Sequence, residues 1–347
     1  MTSLDEREKN KIMTQYLNEY VPGLRFGAKI LSSEVLGAGI DDFANIWYVD
    51  GDNGSNSNVG NTPSTAFKTI QAAVSAASTD DIVFIRQRDM AVGATDPVSY
   101  AESVTIPATA DRLKLIGYST GRVQQGVPQI KPAGTTHVYC LTVNSPGCLI
   151  ANLGFNGNST AGAPLNGAIL LNSNGATGTI SAAGTTIQNC HFKNCAGTTV
   201  TDATTGGAID WTANGDCWQV LIKNNRFYKN VCDICLLGTS NSVPQDVVIQ
   251  ENIFSGPTAS VDCNLYLAGG SGMNGVIVDN NNFGPIGTLG SGTVLRLISA
   301  TGCIGMFSRN MCQTTGKTYG AAGSGGYVPT TMMIAGNYQD NALIART

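Results

Sequence analysis

A short unit recurs from about Leu113 onward, and it constrains the fold of this 347-residue chain more than any other feature. It joins a pair of apolar residues to an asparagine-like residue and closes on phenylalanine. It reads Leu149-Ile-Ala-Asn-Leu-Gly-Phe155, Thr186-Ile-Gln-Asn-Cys-His-Phe192, Leu221-Ile-Lys-Asn-Asn-Arg-Phe227, Val248-Ile-Gln-Glu-Asn-Ile-Phe254 and Ile277-Val-Asp-Asn-Asn-Asn-Phe283. Weaker copies end at Cys312 and Tyr338, and an early form runs from Leu113 to Tyr118. The closing positions 118, 155, 192, 227, 254, 283 and 312 lie 37, 37, 35, 27, 29 and 29 residues apart. A second strand-like segment falls inside each interval, at 168–172, 208–211, 234–237, 264–267 and 294–298. Two strands in about thirty residues cannot enclose a core alone, so the repeats must stack into a solenoid. A propeller blade needs four strands in roughly 40–45 residues, and leucine-rich spacing is absent. The pattern predicts a parallel β-helix.

Stacked windings lie about 4.8 Å apart, the strand spacing of a sheet, so like residues come to lie over like. Phe155, Phe192, Phe227, Phe254 and Phe283 are expected to form an internal aromatic column, worth about 0.5–1.5 kcal/mol per pair beyond burial. Asn152, Asn189, Asn224, Asn252 and Asn281 are expected at a tight corner, where asparagine tolerates the left-handed conformation and bonds its neighbours as a ladder. These are structural rather than catalytic positions.

The rest of the chain divides around this repeat. Residues 1–45 form an amino-terminal helix and linker, with Ile12, Met13, Tyr16, Leu17 and Tyr20 on one helical face, stopped by Pro22-Gly23. Residues 46–347 form the β-helix, with 46–110 as cap and first coil and 111–340 as repeating coils. A strand is expected at 46–50, a helix at 65–77, and strands at 81–85 and 100–106. Charged residues make up only 13%, against about 25% in an ordinary domain. The 42% hydrophobic content excludes wholesale disorder. A net charge of −4 argues against holding a nucleic-acid backbone, and no apolar run reaches the roughly 18–20 residues of a membrane span. The first eleven residues are charged where a secretion signal is apolar, which points to folding in a reducing cytoplasm. The ten cysteines then serve as small core hydrophobes. Cys232-x-x-Cys235 sits on a strand, where positions three apart face opposite ways, a poor geometry for a redox or metal pair.

Tyr48-Val-Asp-Gly-Asp-Asn-Gly54, Asn56-Ser-Asn-Val-Gly60 and Ala66-Phe-Lys-Thr-Ile-Gln-Ala-Ala-Val74 together resemble the opening of right-handed parallel β-helix proteins of the pectin-lyase-like superfamily. The resemblance covers roughly 46–340. It implies an all-β, right-handed parallel β-helix solenoid with an amino-terminal capping helix, preceded here by a short helical anchor segment. A charged amino-terminal helix leading directly into this motif resembles bacteriophage virion proteins: tailspikes, tail fibres and capsid-surface decorations. That likeness implies a structural virion protein made in the host cytoplasm, a homotrimer joined to other virion proteins through residues 1–21, with host surface glycan as a partner. The alternative is a polysaccharide lyase or glycoside hydrolase.

An enzyme on this fold needs carboxylates on neighbouring coils, about 5–9.5 Å apart for glycoside hydrolysis. Asp210, Asp233, Glu251 and Asp262 are the candidates; Asp233 and Asp262 each lie 21 residues before a phenylalanine. Neither His137 nor His191 has a triad partner at short spacing, and no phosphate loop or zinc motif occurs. No cofactor and no metal is called for. Asp50–Asn56 carries oxygen ligands that could suit calcium, but it departs from the EF-hand pattern and reads as a turn. Trp211 and Trp218 flank a turn and are the candidate sugar-stacking aromatics.

Overall fold

The computed structural model describes residues 44–343 except 91–93, 95, 120–125, 133–136, 158–165, 175–178, 198–205, 212–217, 238–244, 256–262, 269–272, 285–292, 299–302, 313–331 and 340–341. The expected helix and anchor at 1–21, and Asp262, lie outside the described residues.

Three sheets of ten, nine and seven strands run the length of the stack, and consecutive coils supply neighbouring strands. One coil illustrates the plan: Leu149–Ala151 enters the first sheet, Gly154–Asn156 the second and Gly167–Leu171 the third. Pairing is parallel and keeps like over like. Ile187 sits between Ile150 and Ile222, Phe192 between Phe155 and Phe227, and Ile209 between Ile169 and Ile234. The protein is a parallel β-helix. Among the described strands only the terminal pair is antiparallel, where Ala342–Leu343 folds back on Tyr338–Gln339.

The repeat therefore holds two strands rather than one, because a single left-handed residue bends the chain between the first sheet and the second. That residue is Asn152 (φ 56°), Asn189 (54°), Asn224 (54°), Glu251 (57°), Asn280 (53°), Arg309 (53°) and Gly336 (62°) in successive coils. The five asparagines expected in one row thus belong to two. Asn152, Asn189 and Asn224 occupy the left-handed position, while Asn252 and Asn281 lie one residue later, in a buried column with Asn225, Asn310 and Asn337. From Asn252 onward each Oδ1 in that column accepts from the backbone N–H and Nδ2 of the asparagine one coil earlier, at 2.9–3.1 Å, while Asn225 Oδ1 accepts the Cys190 N–H at 2.8 Å. Each Nδ2 also donates to a carbonyl of the preceding coil, such as Ile222 at 3.0 Å from Asn252. Where the column begins, Cys190 takes the slot and points its thiol at the Ile150 carbonyl, 3.6 Å away.

Inside, the rings of Phe155, Phe192, Phe227, Phe254 and Phe283 stack at centroid distances of 5.2, 4.7, 4.9 and 4.7 Å. Tyr118 does not join them. It closes a first-sheet strand and is 47% exposed, and Ile130 holds the slot beneath Phe155. The capping helix is shorter than expected, Ile70–Ala76, because Pro63–Thr65 forms a separate 3-10 turn. Thr69 accepts the Ala72 N–H, and the Glu102 carboxylate takes the free N–H groups of Ile70 and Gln71 at 2.8 and 2.9 Å. Ile70, Ala73 and Val74 then close the end of the core.

The described free cysteines are buried. Cys232 and Cys235 correct the expectation of opposite faces. Cys232 places its thiol 3.4 Å from the Ile234 carbonyl, and its hydrogen bond to Cys235, followed by burial, pushes the Cys235 thiol well up. Thiols held in that state are poor nucleophiles.

Candidate functional site

The third sheet carries Asp210 on its outer side, opposite the core residues Ile209 and Trp211. Tyr139 reaches it across the Gly167 backbone and donates its hydroxyl to Oδ2 at 2.8 Å; the Gly207 N–H donates to Oδ1 at 2.6 Å. A Cβ on Gly167 would stand 2.3 Å from the tyrosine ring. Gly206, at φ +125°, brings the backbone so close that a Cβ would lie 2.4 Å from Oδ2. Burial raises the Asp210 carboxyl to about 7, against the pull of these two donors. The same burial, with the Asp210 charge beside it, pushes the Tyr139 hydroxyl upward.

Asp233 is buried as well. Its Oδ1 accepts from Asn230 at 2.8 Å and its Oδ2 from Asn264 at 2.6 Å, and burial raises it to about 7. Its neighbour on the next coil is Asn264. Glu251 stands at the left-handed corner, exposed, with Lys223 at 3.7 Å. Asp210 and Asp233 thus have both oxygens engaged within the fold, and Glu251 serves the backbone turn. These residues do not form an open carboxylate pair.

Trp211 lies in the core, 4% exposed, above Leu171, and offers no ring face to a sugar. Trp218 is 46% exposed beside Gln245. In the Asp50–Asn56 turn, Asp50 accepts the N–H groups of Asp52 and Asn53 and pairs with Arg86 at 2.7 Å, while Asp52 pairs with Arg88 at 2.9 Å. Its carboxylates hold donors, as a turn requires. Among the described residues no group of three or more His, Cys, Asp or Glu side chains could hold a metal ion.

A different surface gathers exposed aromatic and basic side chains. Residues on either side of each column phenylalanine point outward from the second sheet, so Arg226 and Tyr228 stand exposed on the coil of Phe227. Lys229, at the next left-handed corner, lays its ammonium 5.1 Å from the centre of the Tyr228 ring. One coil earlier His191 and Lys193 occupy the same two columns, both buried, and Lys193 pairs with Asp96 at 2.6 Å. Burial first, then Lys193 and Arg226, lowers His191 to about 4, so the ring is neutral, and its Nδ1 has no hydrogen-bond partner. Two coils back in the same column, buried Gln129 also leaves Nε2 unpartnered. The sequence did carry this signal: the residues flanking each column phenylalanine face out by strand alternation.

No protein-family model matches the sequence, and no curated protein matches it. Solved structures do. A lacto-N-biosidase of glycoside hydrolase family 136 from Eubacterium ramulus aligns over 96% of this chain and 70% of its own, at 11% identity and a TM-score of 0.51. Pectate lyase Pel9A aligns over 86% and 78%, at 13% identity and a TM-score of 0.43. A tailspike protein of Acinetobacter baumannii bacteriophage Fri1, a capsular polysaccharide depolymerase, aligns over 85% and 57%, at 12% identity and 0.35. What the chain shares with the first of these is its fold, the parallel β-helix.

Proposed function

We propose that this chain is a structural component of a bacteriophage particle, a rigid β-helix that binds host surface glycan on the outer face of its second sheet. The carrying observation is Tyr228, 42% exposed, set between Arg226 and Lys229 on a regular sheet. An exposed aromatic face stacks on the apolar face of a sugar ring, and flanking cations fix hydroxyl or acidic substituents. Stacked coils hold these groups at fixed spacing, so little ordering is required on binding. Residues 1–21 supply attachment to the particle, and three copies make the displayed unit. Cleavage is not part of this reading, because Asp210 and Asp233 are occupied in holding the fold together.

Purified protein titrated with host capsule or lipopolysaccharide tests the proposal. Binding that falls at least tenfold in Tyr228→Ala and Arg226→Ala, with unshortened glycan chains and an unchanged melting temperature, is the expected result. Shortened chains would establish the hydrolase or lyase reading instead, and undiminished binding by both variants would remove the second sheet from recognition. Antibody labelling of intact particles tests the virion assignment separately.

A further inference from the structure

Most described lysines and arginines of this chain are matched to carboxylates. Arg86 pairs with Asp50, Arg88 with Asp52, Arg112 with Asp80, Lys223 with Glu251 and Arg309 with Asp279. Buried Lys114 gives its ammonium to the Asp80 carbonyl at 3.2 Å. The outer side of the second sheet breaks this pattern. Lys131, Arg226 and Lys229 have no carboxylate partner among the described residues, and Asp96 is taken up there by buried Lys193. Away from this sheet the exposed Lys68, just before the capping helix, is likewise unmatched. The three second-sheet cations share a line. Lys131 follows Ile130, the partner of Phe155, so it heads the column that runs through Asn156 and Lys193 to Tyr228. Arg226 and Lys229 flank Tyr228 on the last of those coils. From Lys131 to Tyr228 is three coil steps, about 14 Å at the usual strand spacing. On the coil of Lys131, buried Gln129 keeps its Nε2, a group that can only donate, without an acceptor. A chain of net charge −4 thus holds unmatched positive charge along one strip of a rigid sheet.

We propose that the glycan taken by this face is an anionic polysaccharide, with carboxylate or phosphate groups on Arg226, Lys229 and Lys131 and a sugar ring on Tyr228. The assignment rests on the glycan reading above and names its substrate class. Like charges fixed on neighbouring coils repel one another, and an anionic chain laid along the strip relieves that repulsion while gaining charge-assisted hydrogen bonds. Arg226 offers a planar fork that fits an acidic group in two bonds, and the two lysines act as point charges on either side of it along the axis. A neutral glycan would leave all three cations as unmatched as before. A nucleic acid would answer the charge, but the strip is short, carries one exposed aromatic ring, and belongs to a chain that is acidic as a whole.

The full-length chain, applied to an array of bacterial capsule and O-antigen polysaccharides printed native, carboxyl-reduced and phosphate-stripped, tests this. Binding should be confined to polysaccharides that carry acid groups, and should vanish from the treated form that has lost them. Against a bound polysaccharide in solution, Arg226→Gln, Lys229→Gln and Lys131→Gln, each melting like the parent, should weaken affinity about tenfold. Added salt should weaken it further. Lys68→Gln, which removes the same charge elsewhere, should leave it unchanged. Tyr228-dependent binding that survives removal of the acid groups would overturn the anionic assignment and leave the glycan reading standing. An equal loss in Lys68→Gln would reduce the effect to net charge and overturn the assignment as well. Equal affinity for a single-stranded oligonucleotide would make the strip a general polyanion surface instead. No binding to any printed polysaccharide would remove the glycan reading and this assignment together.

Discussion

Asn252 Oδ1 accepts two hydrogen bonds from Asn225, one from its backbone N–H at 2.9 Å and one from its Nδ2 at 3.1 Å. Both donors are buried, so the coil holding Asn225 is satisfied by a side chain of the next coil. Asn252→Leu keeps the volume but strands those donors and removes the amide that caps the Ile222 carbonyl. Each stranded group costs about 1–3 kcal/mol, so the variant should lose several kcal/mol of unfolding free energy in a urea titration. An unchanged midpoint would mean that water replaces the ladder without penalty.

The phenylalanine column predicts a graded series. Phe227 stacks between rings at 4.7 and 4.9 Å, whereas Phe283 has one close neighbour and Phe307 at 6.4 Å. Phe227→Ala should cost about 3–5 kcal/mol, with Phe283→Ala less severe by about the worth of one aromatic pair, 0.5–1.5 kcal/mol. Thermal melts of the two variants should fall in that order; the reverse order would show that cavity collapse outweighs stacking.

Glu251 occupies a left-handed corner that asparagine fills in three neighbouring coils and at Asn280. Crowding of Cβ there costs roughly 1–2 kcal/mol for an ordinary residue, and the 3.7 Å contact with Lys223, both side chains well exposed, returns little. Glu251→Asn should raise stability by about 0.5–1 kcal/mol, part of that strain, read from the denaturation midpoint. A fall in stability would assign the glutamate a role that the backbone does not explain.

The repeat was legible because stacking forces equal residues to equal positions: the aromatic column and the third-sheet strands lie where the sequence places them. What the repeat hid was the bend inside it. Asn224 and Asn225 are adjacent, and both rows are asparagine-rich, so Asn152 and Asn252 look equivalent although one turns the backbone and the other bridges coils. Asp210 and Asp233 were legible as unusual carboxylates on coils, but their burial depends on partners such as Tyr139, 71 residues away. Trp211 reads as a candidate sugar-stacking aromatic because it borders the turn that begins at Thr212, yet its strand alternation places it over Leu171 in the core.

Those two carboxyls also set a pH dependence with a definite sign. In the folded chain burial raises Asp210 and Asp233 to about 7, from an ordinary value of 3.8. Below about pH 4 both the folded and the unfolded chain hold these protons, and the groups make no difference to stability. As pH rises from about 4 to 7, the unfolded chain releases protons that the folded chain retains, so stability declines by up to about 1.4 kcal/mol per pH unit for each group. Above 7 both states are ionised and the loss is constant. Asp80 and Asp279 work the other way: their hydrogen bonds to Arg112 and Arg309 lower them, and their contribution disappears as pH falls below the usual carboxylate range. Asp210→Asn replaces the protonated form with a neutral isostere whose amide can donate to the Tyr139 oxygen while its carbonyl keeps the Gly207 N–H. Its melting temperature should fall less steeply than the parent's between pH 5 and about 7, and should exceed the parent's at pH 8. Parallel curves for parent and variant across that range would show that Asp210 is ionised in the folded chain despite its burial.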